Sequence, residues 1–342
     1  MQEGLSQSKR QIYIMIALLF LLLFLFVNSL VFGSVPLSFS DVIGLLLFQE
    51  PRNLEVSTII LQFRLPRSAT AVLAGVALSL SGLLMQTFFK NPLAGPYVLG
   101  INSGASFGVA LIIFCGSLFP LGFFFSGVTR IAAAFLGAVF VFVLVFMISE
   151  RLKNKMTLLI VGIMIGYFTS GLVSLLIFFS RASEIQSFLF WTFGSFRGVG
   201  FNQLAYFLPS VIVGVLFALW AIKPMNSLLL GEDYAASMGV DIKATKKKII
   251  LSGSILTGTT TAFCGPIAFL GIAVPHLCRW FFHTSNHRVL FPAVILMGAD
   301  IALLAEIIAQ LPGSGLTLPL NAVTALLGAP VVIWVIFFKK NI

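Results

Sequence analysis

The sequence predicts an all-α polytopic membrane protein with about ten transmembrane helices, and three observations carry that prediction. The 342-residue chain is 59% hydrophobic and only 9% charged, with mean hydropathy +1.07. A soluble protein of this length could not hide that much apolar surface, so most of it must face lipid or other apolar helices. Apolar runs long enough to cross a bilayer recur along the chain, and its cations fall in short clusters between them.

The first run, 12–32, is too long and continuous for the core of a cleaved signal peptide, so it reads as a retained first span. In order, the expected spans are 12–33, 64–88, 93–113, 129–149, 157–179, 203–222, 247–264, 267–282, 291–310 and 320–338. The third and eighth carry Pro and Gly breaks. Such breaks are tolerated at membrane depth only where protein or a water-filled cavity covers the freed backbone. The 30 glycines suit close helix packing in lipid. The 36 phenylalanines are lipid-facing and packing residues rather than a ligand box.

An even number of spans puts both termini on one side. With that side cytoplasmic, fifteen of the 21 Lys and Arg lie inside, among them Lys9, Arg10, Lys90, Arg151, Lys153, Lys155, Lys243, Lys339 and Lys340. Arg52, Arg64, Arg67, Arg130, Arg181 and Arg197 fall outside. The +10 net charge therefore marks topology, and no basic stripe interleaved with aromatics points to nucleic acid.

One segment is built differently at its two ends. It starts with Arg64 and Arg67, runs through an apolar helix rich in small residues, and breaks at Asn91-Pro92-Leu93-Ala94-Gly95-Pro96. Paired cations at one end suit docking, and a Pro/Gly break at the other suits gating. A faint echo appears later: Gly75-Val76-Ala77-Leu78 before Pro92-Leu93-Ala94 parallels Gly253-Ser254-Ile255-Leu256 before Pro266-Ile267-Ala268. The two helices run in opposite directions in this topology, a weak inverted repeat. The largest cytoplasmic loop, about 226–247, contains Leu230, Gly231, Glu232, Asp233, Ala235, Met238 and Gly239, enough for one or two helical turns. It is either a solvated connector or a docking helix for a cytoplasmic partner.

No Gly-x-x-x-x-Gly-Lys-Ser/Thr occurs, nor a Ser/His/Asp set, a His-Glu-x-x-His or a supported carboxylate pair. The chain reads as no enzyme, and energy for pumping must come from another chain. Asp300 and Glu306 lie in the ninth span, where acids normally mark function. Glu306 reaches the interface, whereas Asp300 sits near mid-membrane, as a protonated structural residue or a coupling-ion site. His276, His283 and His287 read as solvated juxtamembrane residues rather than ligands, so no metal site is expected. Cys115, Cys264 and Cys278 share no metal or disulfide spacing and read as buried, inert thiols.

From Arg64 onward the chain resembles the permease subunits of type II ABC importers, which carry iron-siderophores, haem and cobalamin. The resemblance rests on Arg64-Leu65-Pro66-Arg67, Ser81-Gly82 with Gln86, and Asn91-Pro92-Leu93-Ala94. It extends through Trp191 with Gly194-Ser195, the Gly231-Glu232 loop, Gly265 to Gly271, Pro275-His276 with Arg279, and Val323 to Pro330.

The resemblance implies one transmembrane permease domain over 1–342, in a homodimer or close heterodimer within a bacterial cytoplasmic (inner) membrane. It implies two cytoplasmic ATPase subunits, which hold ATP and Mg2+, on the Gly231–Val240 loop, and a periplasmic or lipid-anchored binding protein outside. The chain itself would bind no cofactor. Arg64 and Arg67 match arginines that pair with glutamates of the binding protein. Asn91 and Leu93 match one cytoplasmic gate and the loop from Lys155 and Met156 to Leu158 the other, with the fifth and tenth spans as pore wall. Gln310 stands where the family has a third docking arginine, Thr317 to Asn321 replaces its usual Glu-Leu-Pro-x-Gly, and Asp300 stands where it is usually apolar. The expected cargo is a ferric siderophore or a related iron or corrin chelate. The rivals are an ion-coupled secondary transporter using Asp300 and a membrane scaffold or receptor.

Overall fold

The computed structural model describes residues 2–33, 35, 37–47, 54–115, 127–152, 154–310 and 316–338. Arg52, Lys153, Lys339 and Lys340, used in the topology, lie outside the described residues, as does the side chain of Cys115.

Every described element is helical: α1 (Gln2–Val31), α2 (Phe39–Leu46), α3 (Leu54–Thr58), a π-helical turn (Ile59–Arg64), α4 (Leu65–Phe89), α5 (Ile101–Cys115), α6 (Gly127–Arg151) and α7 (Lys155–Phe178). There follow α8 (Ala182–Thr192), α9 (Phe201–Leu229), α10 (Glu232–Ser237), α11 (Ile242–Cys264), α12 (Leu270–Phe282), α13 (His287–Ala309) and α14 (Leu320–Phe338). Each of the ten expected spans has its helix. Among the described residues, six stretches are long and apolar enough to cross a membrane, and shorter apolar helices lie at Ile101–Phe114, Leu270–Phe282 and Leu320–Trp334. The seventh span, α11, is less apolar because Lys246, Lys247 and Lys248 sit on its first turns and threonines run through its far end.

Two boundaries differ from expectation for the same reason. The third span starts at Ile101 rather than 93, and the eighth at Leu270 rather than 267. In each case the residues before the helix are spent in a break that Pro and Gly hold out of helical geometry. The short helices α2, α3 and α8 were not expected; their apolar runs are too brief to stand out.

Helix α4 is the centre of the molecule and is buried along most of its length. It runs antiparallel to α13, since Arg67 meets Glu306, Gly75 meets Gly298 and Thr87 meets His287. It also runs antiparallel to α11, where Ser81 Oγ lies 2.8 Å from Thr257 Oγ1 and Met85 packs on Gly253. Close approach requires glycine here. A Cβ on Gly82 would lie 1.7 Å from the Gly271 carbonyl oxygen, so α4 and α12 touch backbone to backbone.

The two broken units, α4–break–α5 and α11–break–α12, meet inside the bundle. The Tyr97 hydroxyl donates to the Ile267 carbonyl at 2.8 Å and accepts from the Ile267 amide at 3.0 Å. Ala268 N–H donates to Asn321 Oδ1 at 3.0 Å, and Ser195 N–H to the Cys264 carbonyl at 2.8 Å. The backbone groups freed by each break are thus taken up by neighbouring segments, as burial in an apolar medium demands.

Candidate functional site: the two ends of α4

At one end of α4, Arg64 and Arg67 do not project into solvent. The expectation that they are presented to a partner meets a different geometry: they are only 3% and 8% exposed. The last carbonyls of a helix lack intrahelical donors, and α1 ends at Val31 beside them. Arg64 Nη1 donates to the Leu30 and Val31 carbonyls at 2.7 and 2.6 Å, and its Nη2 to the Val35 carbonyl. Arg67 Nη2 donates to the Ser29 carbonyl at 3.1 Å. Both cations cap the C-terminus of α1, where the helix dipole also favours positive charge.

Arg67 Nε lies 3.1 Å from Glu306 Oε1, at ion-pair distance without hydrogen-bond angles, and Gln310 Nε2 donates to that oxygen at 3.1 Å. Glu306 was expected at the interface; it is buried because Arg67 and Gln310 supply the charge and the donor that burial requires. Gln310 is itself buried, so all three expected docking positions come together, but facing inward. Arg197, in the α8–α9 linker, is exposed and lines a cavity of about 240 Å³ with Glu306, Gln310 and Thr317.

The other end of α4 is open. Lys90 closes the helix in the left-handed conformation (φ 48°), and its cap bonds back to Gln86 and Thr87. Asn91 is half-buried and its side chain accepts from Leu93 N–H at 2.9 Å, turning the chain so that Leu93 is 47% exposed. The break is tethered to α12 by His276 Nε2, 2.7 Å from the Pro92 carbonyl. Gln86 joins the same tether, accepting from Arg279 at 2.6 Å and donating to the Ile272 carbonyl at 3.2 Å.

Two of the three histidines correct the sequence reading. His276 and His287 are buried, not solvated, because each has a polar partner far along the chain. His287 lies between Thr87 Oγ1 (2.9 Å) and Asn226 Oδ1 (2.8 Å), joining α4, α9 and α13. His283 is exposed as expected. Among the described residues no three His, Cys, Asp or Glu groups gather around a common point. Cys264 and Cys278 are buried and free.

The second expected gate and the loop lie at this same open end. Asn154 caps α7 by accepting from Met156 N–H at 2.8 Å, and Met156 is exposed. Lys155 sits 4.6 Å from the Phe88 ring centroid and pairs with Glu232, the first residue of α10. Within the loop, Gly239 takes φ +81° just past α10, and Val240 N–H returns to the Ala235 carbonyl. Ala235 is buried and anchors α10, while Leu230 at the end of α9, Tyr234 on α10 and Met238 just past it are exposed. Gly231 and Asp233 flank the anchored turn. The sequence suggested the loop; it did not show the link from Glu232 to Lys155.

Asp300 is buried and neither carboxylate oxygen has a hydrogen-bond partner. No described cation pairs with it.

A polytopic helical chain with paired internal breaks, a capped end, an open end and a small helix beyond the bundle defines a transporter membrane subunit. Comparison with known proteins sharpens this. Residues 21–338 match the FecCD transport family. The vitamin B12 import system permease protein BtuC of Klebsiella pneumoniae is 34% identical over 82% of both chains. BtuC of Shigella boydii is 32% identical over 98% of both. A chain assigned as an ABC transporter permease in Methanocaldococcus jannaschii is 33% identical over 93% of this chain and 96% of its own length. A solved inward-facing structure, assigned to a metal-chelate type ABC transporter, superposes with TM-score 0.82 and 31% identity over 95% of this chain and 99% of that one. The chain belongs to the FecCD transport family. It is a multi-span permease subunit of an ABC importer, and like its relatives a transporter subunit rather than an enzyme.

Proposed function

We propose that this permease carries a ferric siderophore or a related iron or corrin chelate across the bacterial cytoplasmic (inner) membrane, driven by two separate ATPase subunits. Both termini then lie in the cytoplasm, the Asn91 end of α4 faces inward and the Arg64 end faces out. A second copy, or a close paralogue, completes the pore with α7 and α14 along the shared axis.

The observation that carries this reading is a short anchored helix outside the bundle, α10, with Tyr234 and the flanking Leu230 and Met238 exposed and Glu232 paired to Lys155 of the second gate segment. Exposed apolar side chains held outside the bundle suit a protein partner. The ATPases would dock there, bind ATP with Mg2+ and close, moving the breaks at Asn91 and Leu93 and at Lys155 and Met156. Substrate is held loosely and released, because affinity resides in the binding protein outside.

The binding protein is proposed to dock on the Arg64 end. Arg64, Arg67 and Gln310 reach it only by exchanging the α1 carbonyls and Glu306 for partner groups, and Arg197 is already free at the surface. The choice of a chelate follows the relatives, two of which are vitamin B12 import system permease proteins and one of which is assigned to a metal-chelate type ABC transporter.

Uptake in proteoliposomes holding the permease, its ATPase and its binding protein tests the reading. ATP should drive uptake of one of a panel of ferric chelates, haem and cobalamin. Uptake driven by an ion gradient without ATP, and abolished by Asp300→Asn, would establish the secondary-transporter alternative instead.

A further inference from the structure

Around the α6–α7 turn, five charged side chains tie neighbouring elements together. Lys246, on the second turn of α11, donates to the Leu152 carbonyl at 3.0 Å and to the Ser149 carbonyl. These are among the last carbonyls of α6, which have no intrahelical donor. Lys247, the next residue, pairs with Glu150. The end of α6 is therefore held to the start of α11 by Lys246, with the more exposed Lys247–Glu150 pair beside it.

Lys155, just past the turn, is bound differently. Its ammonium pairs with Glu232 of α10 on one side and lies over the face of Phe88 on the other. Phe88 is buried in the last turn of α4, two residues before the left-handed Lys90 and three before Asn91. Glu232 opens α10, the short helix that exposes Tyr234. Among the described residues, Lys155–Glu232 is the one ion pair that joins α10 to another helix. The pair is partly exposed, with side chains 19% and 43% accessible, so it adds little to stability and can break and re-form.

We propose that Lys155 is the positioning residue of the transport cycle: it transmits displacement of α10 to Phe88 and so to the break at Asn91 and Leu93. Glu232 is the element it reads, and the fixed α6–α11 contact is the frame against which it moves. This deepens the proposal that α10 docks the ATPase and rests on it. A cation held between a carboxylate and a ring face has two attachments of similar strength, so loss of the first shifts the second. The sequence alone hides this, because Lys155 and Glu232 each read as ordinary cytoplasmic charges.

The test uses the full permease–ATPase–binding-protein complex in proteoliposomes and measures ATPase capture, ATP hydrolysis and uptake per ATP. Lys155→Met should leave capture and hydrolysis within about twofold of native while uptake per ATP falls by about fivefold or more. Lys155→Arg should keep near-native coupling, whereas Lys155→Glu combined with Glu232→Lys should not recover it, because a carboxylate would replace the cation over the Phe88 ring. Phe88→Leu should uncouple in the same direction by a smaller factor. Native uptake per ATP in Lys155→Met, or native coupling in the charge swap, overturns the proposal. Loss of capture in Lys155→Met also overturns it, since the residue would then belong to the docking surface. The control Leu230→Asp/Met238→Asp examines the docking reading separately: it should abolish capture. Capture that survives it removes the docking reading, whereas coupling that survives Lys155→Met removes this proposal alone.

Discussion

At its Arg64 end α4 is enclosed: two guanidinium groups close the C-terminus of α1 and one of them also faces Glu306 of α13. At its Asn91 end the same helix stops in a left-handed residue, exposes Leu93 and is reached by one partly exposed ion pair through Lys155. The contrast follows from what each end must satisfy. The Arg64 end meets orphaned helix carbonyls and a buried acid, groups that cost free energy if released. The Asn91 end satisfies its backbone within a short turn; buried His276, Gln86 and His287 hold it to α12 and α13, while Leu93 and the Lys155–Glu232 pair stay accessible to water. One end of the helix is thus built as an anchor and the other as a moving part.

Substitutions can break or sharpen that contrast. The largest effect should come from the middle, on which both ends depend. Gly82→Val places side-chain atoms where the Gly271 carbonyl already sits, and should cost at least about 3 kcal/mol. Loss of monodisperse protein in detergent would show it. Next is Arg67→Ala, which leaves Glu306 buried without its cation and should cost about 3–5 kcal/mol. Arg67→Met with Glu306→Gln should recover most of that in thermal unfolding, because the uncompensated charge goes with its partner.

Arg64→Ala strands the Leu30, Val31 and Val35 carbonyls without creating a buried charge, and should cost about 1–3 kcal/mol. Smallest of all for stability should be Leu93→Ala at the open end, within about 0.5 kcal/mol because the side chain is half exposed. That variant should nonetheless change the uptake rate, while Arg64→Ala, in whatever protein remains folded, should change it less. A Leu93→Ala variant as destabilised as Arg67→Ala would erase the distinction between the ends.

The sequence made the helices legible because each apolar run must match the bilayer, and the breaks legible because Asn91-Pro92 and Gly265-Pro266 exclude helix. The residues it singled out, Arg64, Arg67, Asn91 and Leu93, lie at or just beyond the two ends of α4. What it could not convey was direction. A cation before an apolar run looks the same whether it faces a partner or closes a neighbouring helix, and the carbonyls that Arg64 binds lie about thirty residues earlier. His276 and His287 were misread for the same reason, since the Pro92 carbonyl and Thr87 are 184 and 200 residues away. Glu232 and Lys155 carry opposite charges in different loops, and only the fold brings them together.

Amide hydrogen exchange on the assembled complex, with and without ATP, tests the anchor-and-moving-part account most directly. Peptides covering 88–95 and 152–157 should change exchange by about tenfold or more on ATP binding, while 64–71 and the end of α1 stay protected. Equal change at both ends of α4, or a change confined to the Arg64 end, would contradict it.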